Sequence, residues 1–123
     1  MNRAFTNILC DDVNQSALFY EGLLEMTRHA DFGWFVILTH EKLSGLEFGL
    51  LDRQHETVTS EISTTPGGVI LTFVIDDVEA CYLRAQKMNA QIIAPPTDMP
   101  YGQRRLLVRD PVGTVIDVSA PIT

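Results

Sequence analysis

The sequence predicts an α+β fold made of two tandem βαβββ modules whose curved mixed sheets form a cleft. Three observations predict it. The triplet Asp-Asp-Val at 11–13 recurs at 76–78. A short run rich in β-formers precedes each copy, and an apolar stripe of helical period follows each. Turn-forming clusters then separate further short runs of strand character.

The elements follow in order. Residues 5–10 (Phe-Thr-Asn-Ile-Leu-Cys) and 70–75 (Ile-Leu-Thr-Phe-Val-Ile) are too short for buried helices and read as strands. The aspartates after them stand where an N-cap belongs, ready to accept bonds from unpaired first-turn N–H groups. Val13, Ala17, Tyr20 and Leu24 form one helical stripe, and Val78, Tyr82, Ala85 and Met88 a second. Tyr20 and Tyr82, lying on these stripes, are expected in the core. In the first half, residues 33–39 and 45–51 read as strands around a polar turn at 40–44. In the second half, 91–93 is a short strand and 95–100, with three prolines, a loop. Residues 102–109 and 114–119 are strands joined by the Asp-Pro-Val-Gly turn at 110–113. Each half is roughly β-α-β-β-β. The length of 123 residues suits a single domain, with module 1 about 1–55 and module 2 about 66–123. The polar stretch 52–68 reads as either a linker or a lid.

Composition narrows the function. The net charge is −7, so the surface repels phosphate backbones and nucleic acid is not expected as a partner. The same charge favours a cationic small molecule, or serves solubility alone. Two cysteines, Cys10 and Cys81, do not make a disulfide framework and read as buried thiols. No apolar stretch approaches the roughly 20 residues of a membrane span, and residues 1–5 do not resemble a signal peptide. The expected setting is cytoplasmic, with no membrane partner.

Alternation along the strands defines two faces. Phe5, Asn7 and Leu9 oppose Thr6, Ile8 and Cys10; Ile70, Thr72 and Val74 oppose Leu71, Phe73 and Ile75. The bulkier set of the second strand should meet its helix. Ile70, Thr72 and Val74 are then left for the cleft, and by symmetry so are Phe5, Asn7 and Leu9.

The strand-Asp-Asp-Val-helix opening, Ala-Leu-Phe-Tyr at 17–20, and the ending Gly-Gln-Arg-Arg-Leu-Leu-Val-Arg-Asp-Pro-Val-Gly-Thr-Val-Ile-Asp at 102–117 resemble the glyoxalase/bleomycin-resistance/dioxygenase family, the vicinal oxygen chelate superfamily. The resemblance covers nearly the whole chain. It implies paired βαβββ modules, a cavity in the cupped sheet and, commonly, a homodimer. In metal-dependent members, His, Gln or Glu side chains on four strands hold a divalent ion. Carried over by position, those sites fall on Phe5, Glu47, Ile70 and Asp117, with Gly49 sharing the strand parity of Glu47. Phe5 and Ile70 have no donor atom, and two carboxylates seldom fix a catalytic ion without help. His29, His40 and His55 are expected in turns or loops. The sequence therefore leads to no metal and no cofactor, with Glu47 and Asp117 the remaining metal candidates.

What remains is a cavity without a nucleophile–base arrangement or a phosphate loop. Glu47 and Asp117 could act as an acid–base pair or simply supply negative charge. Trp34, Phe35, Phe48 and Tyr101 are aromatic cavity candidates; Trp34 and Phe48 could present a flat face to a planar or cationic ligand, and any of the four could instead pack in a core or dimer interface. Arg104 could hold an anionic group, or pair with Asp117 or Glu47. The leading expectation is a small-molecule-binding protein of the bleomycin-resistance type. It would take an aromatic or cationic compound through Phe5, Asn7, Trp34, Glu47, Phe48, Ile70, Thr72, Tyr101, Arg104 and Asp117, without catalysis. The alternatives are a metal-dependent glyoxalase-like lyase or dioxygenase, and a catalytically silent dimerisation or regulatory domain.

Overall fold

The computed structural model describes residues 1–122, which divide into two compact units, Met1–Pro66 and the chain from Gly67 onward. The first contains β1 (Thr6–Cys10), α1 (Val13–Leu24), β2 (Thr27–Asp31), β3 (Phe35–His40) and β4 (Leu43–Asp52). The second contains β5 (Ile70–Val74), α2 (Val78–Lys87), β6 (Gln91–Asp98), β7 (Gln103–Arg109) and β8 (Val115–Pro121). Each unit is one βαβββ module with a four-stranded mixed sheet, ordered β1-β4-β3-β2 and β5-β8-β7-β6. The first strand pairs parallel with the last, and the other pairs are antiparallel. A helical crossover must intervene before the chain can return parallel to its first strand.

In the first unit, the Asp12 carboxylate caps α1 by accepting the Gln15 N–H at 3.0 Å. Glu25, in the left-handed region at φ 57°, ends the helix. The buried side of α1 carries Ala17, Tyr20, Leu23 and Leu24. Ile8, Cys10, Val36, Leu38, Phe48 and Leu50 form the buried set of the sheet. Burying side chains of this size contributes about 1.5–3 kcal/mol each, and the sheet alone would leave them wet. The Cys10 thiol donates to the Ile8 carbonyl at 3.3 Å.

Two elements here differ from the expectation. Thr27–Asp31 is a strand, so His29 lies in β2, and His40 is the last residue of β3. Only His55 occupies a turn. β2 lies at the sheet edge and is interrupted by a bulge between Arg28 and Ala30, which breaks the alternation a strand usually shows. The stretch after β4 is anchored to its own unit. The Arg53 N–H donates to the Cys10 carbonyl at 3.1 Å, Ser63 Oγ donates to the Arg53 carbonyl at 2.8 Å, and Val58 is buried.

In the second unit, Asp77 caps α2 through the Ala80 N–H at 3.0 Å. Val78, Cys81 and Ala85 are buried, while Tyr82 is only half-buried and is not the core residue its stripe position suggested. β6 runs on through Pro95 and Pro96, where a loop was expected. It is an edge strand, so a residue without an N–H leaves no gap in a ladder, and its pairing with β7 shifts register across the two prolines. Among the described residues, no helix is long and apolar enough to cross a membrane.

Candidate functional site

Each sheet has one face packed under its own helix and one open face, and cross-strand register fixes which residue belongs to which. In the first unit Thr6 pairs with Phe48, Asn7 with Gly49 and Ile8 with Leu50. Ile8 and Leu50 are buried toward α1, so Phe48 points the same way. Its ring lies 4.8 Å from that of Tyr20 in an edge-to-face contact, and Phe48 is only 5% exposed. The expectation that Phe48 lines a ligand site is therefore corrected: strand parity places it under the helix.

The open face of this sheet carries Phe5, Asn7, Phe35, Glu47 and Gly49. Asn7 lies directly over Gly49, where an added Cβ would stand 2.0 Å from Asn7 Oδ1 and 3.0 Å from Phe35 Cε1. Glu47 is gripped by Arg3 through one edge of the guanidinium: Nε donates to Oε2 at 2.6 Å and Nη2 donates to Oε1. The same guanidinium sits over the Phe5 ring, 4.7 Å from its centroid. Hydrogen bonding from Arg3 holds the Glu47 carboxyl below its ordinary range. Desolvation opposes this, and the charges of Arg3 and His29 assist it.

Trp34 precedes β3 and is about one-third exposed, at 36%. The His55 ring stacks on its indole, with centroids 3.7 Å apart and planes 7° from parallel. Phe32 and Phe35 extend the cluster, with Phe35 5.8 Å from Trp34. One indole face is thus already covered from within the chain.

In the second unit Thr72 pairs with Asp117 and Val74 with Ser119. Thr72 Oγ1 donates to Asp117 Oδ2 at 3.2 Å, and Ser119 Oγ donates to Asp117 Oδ1. Ile70 is exposed on the same face, at 62%. Tyr101 is also exposed, in the turn before β7. Arg104 pairs with neither Asp117 nor Glu47. Its Nε donates to Glu79 Oε1 at 2.6 Å and its Nη1 to Asp98 Oδ1 at 3.0 Å, which ties β7 to α2 and β6. Arg104 follows the parity of Leu106 and Val108, toward the helix, so its expected place beside the ligand is corrected. Two arginines of that strand have open-face parity, Arg105 across from Ser119 and Arg109 across from Val115. A shallow recess of about 390 Å³ opens between Asp77, Glu79, Asp98 and Arg104. It lies on the helix side, and this ion-pair network lines it.

The two registers superimpose. Asn7 opposite Gly49 in the first sheet corresponds to Thr72 opposite Asp117 in the second. The repeat thus matches Asp117 with Gly49, and the counterpart of Glu47 is Val115. Of Phe5, Gly49, Ile70 and Asp117, only Asp117 carries a donor. Among the described residues no three His, Cys, Asp or Glu side chains converge as metal ligands. This donor set does not fit a divalent ion. Arg3 and Arg105 escaped the sequence reading, and His55 entered it only as a loop residue. Arg3 stands outside any strand, and the partner of His55 is remote in sequence. Strand parity alone could have found Arg105.

Residues 3–118 match the family described as the Glyoxalase/Bleomycin resistance protein/Dioxygenase superfamily. No curated protein matches the chain. Among solved structures, a protein of unknown function from Agrobacterium tumefaciens str. C58 is 25% identical, with a TM-score of 0.80 over 99% of this chain and 95% of that one. A glyoxalase-related enzyme from Fulvimarina pelagi is 17% identical, with a TM-score of 0.79 over 98% and 88%. A glyoxalase/bleomycin resistance protein/dioxygenase from Nocardioides is 19% identical, with a TM-score of 0.75 over 99% and 84%. The last two likenesses show the fold alone.

Proposed function

The chain belongs to the glyoxalase/bleomycin resistance protein/dioxygenase superfamily, and on that premise we propose that it binds a small aromatic or cationic molecule at the open faces of its sheets without catalysing a reaction. The observation that carries this reading is the donor set. Phe5, Gly49 and Ile70 offer a ligand carbon and backbone where the metal-dependent relatives would need side-chain donors. The two carboxylates on these faces are engaged within the chain, Glu47 by Arg3 and Asp117 by Thr72 and Ser119. Neither is poised as an acid–base group. The ring cluster around Trp34 and the net charge of −7 suit a planar cation.

A homodimer in the cytoplasm is part of the same reading, and the buried thiols of Cys10 and Cys81 suit a reducing compartment. The test is a calorimetric titration of the untagged, chelator-treated protein with Mn²⁺, Fe²⁺, Ni²⁺ and Zn²⁺, followed by Trp34 fluorescence with the acridinium dye proflavine. No metal heat and saturable quenching are expected. Stoichiometric metal binding at micromolar affinity or tighter would overturn the reading in favour of a metal-dependent lyase or dioxygenase.

A further inference from the structure

The contact between Arg3 and the sheet has the form of a recognition complex. A carboxylate meets a guanidinium edge-on through two parallel hydrogen bonds, the geometry that fits a planar fork of N–H donors. An aromatic ring lies against the same cation, 4.7 Å away. Of the two recognising groups, Glu47 lies on β4 and Phe5 immediately before β1. The cation they recognise comes from outside the sheet, on the exposed segment that precedes β1 and also carries Phe5 two residues on. Glu47 is the more sheltered partner, 22% exposed in its side chain against 56% for Arg3. The carboxylate is thus seated in the face, and the cation is laid upon it.

We propose that Phe5 and Glu47 form a site for an organic cation of the guanidinium or amidinium class, and that Arg3 occupies this site as a tethered stand-in until a ligand displaces it. The inference rests on the binding function proposed above and deepens it by naming the class of cation and the groups that take it. The chemistry selects a planar cation with two N–H donors on one edge, because that edge spans both carboxylate oxygens. A compact ammonium would meet one oxygen as a point charge and lose the second bond. An apolar or aromatic substituent on the cation would extend over the open face toward Phe35.

A tethered competitor lowers the apparent affinity of a free ligand by the fraction of time that it holds the site. An exposed ion pair with one ring contact is a weak lock, so removing it should tighten binding about fivefold. The experiment uses benzamidinium as the probe, with neutral benzamide as its isostere, titrated into the wild-type chain and into Arg3→Ala. Binding is followed by NMR shifts of the Glu47 side-chain carboxyl, and circular dichroism verifies the fold. Three results together support the proposal: about fivefold tighter benzamidinium binding by Arg3→Ala, a shift centred on Glu47, and loss of the gain in Arg3→Ala/Glu47→Gln. Equal affinity in wild type and Arg3→Ala overturns it, leaving the broader binding function intact with its ligand elsewhere. Benzamide binding as tightly as benzamidinium overturns it too, because the carboxylate then plays no part. Absence of benzamidinium binding in both chains also overturns it, while the broader function is judged separately by the metal and proflavine titrations.

Discussion

Asn7 and Gly49 face each other across β1 and β4 so closely that the amide fills the volume a side chain on Gly49 would need. An added Cβ would stand 2.0 Å from Asn7 Oδ1. Gly49 is therefore the floor of a notch, and its backbone angle imposes no need for glycine. Gly49→Ala should lower stability by about 1 kcal/mol, the low end for overpacking, since the amide can swing aside at some cost to Phe35. Combining it with Asn7→Ala should recover most of that loss, because the clash then has no partner. Urea denaturation of the three variants measures the coupling, and purely additive effects would contradict the notch.

Phe48 and Trp34 both looked like candidate ligand contacts, and the structure separates them. Phe48 is buried against Tyr20, with ring centroids 4.8 Å apart. Phe48→Ala should cost about 3–5 kcal/mol and collapse the melting temperature. Trp34 is partly exposed and covered on one side by His55. Trp34→Ala should weaken proflavine binding more than it lowers the melting temperature. His55→Ala should uncover the indole and raise its dye affinity, read as a left-shifted quenching curve. A melting temperature that falls with Trp34→Ala while affinity is kept would make Trp34 a core residue.

How far such sites can be read from sequence depends on whether their signal is local. The two helix caps were legible because an N-cap acts over three residues: Asp12 bonds Gln15 and Asp77 bonds Ala80. The two faces of β1 and β5 were legible because alternation is a property of single strands: Asn7, Thr72 and Ile70 are exposed, while Ile8 and Cys10 are buried. β2 was not legible. Thr-Arg-His-Ala-Asp has no apolar rhythm, and its bulge interrupts what alternation there is. The prolines of β6 read as loop because sequence does not reveal which strand is at an edge. Glu47 and Gly49 share a face, and only the pairing of β1 with β4 decides which of them matches Asp117.

Glu47 gives a prediction in pH. Its carboxyl is held below the ordinary value of 4.5, first by the hydrogen bonds from Arg3. A carboxyl depressed in the folded state contributes stability above its unfolded pKa. It loses that contribution as pH falls through the folded value. Arg3→Ala should move the Glu47 titration up toward 4.5, followed by carbon NMR of the side-chain carboxyl. The variant should also lose less stability than the wild type between neutral and acid pH. An unchanged titration would mean that the Arg3 contact does not persist in solution.

The Asp-Pro-Val-Gly turn lies within the 102–117 ending that carries the family resemblance, and its aspartate is structural. Asp110 is 5% exposed, and its Oδ1 accepts the N–H groups of Val112 at 3.0 Å and Thr114 at 2.9 Å. The backbone closes the same turn twice. Asp110 N–H donates to the Thr114 carbonyl, and Gly113 N–H, in a residue at φ 90°, donates back to the Asp110 carbonyl. The turn sets the register of β7 against β8 and thereby the position of Asp117 opposite Leu107. Asp110→Ala removes the acceptor for two backbone N–H groups, one of them buried, and should cost about 2–3 kcal/mol. Asp110→Asn keeps a carbonyl oxygen in place and should cost less than half as much. Neither variant should change benzamidinium affinity while the protein is folded, because no atom of the turn belongs to the Phe5–Glu47 face. Thermal melts and calorimetry on the same samples check both statements, and an affinity loss in folded Asp110→Asn would assign the motif to the site instead.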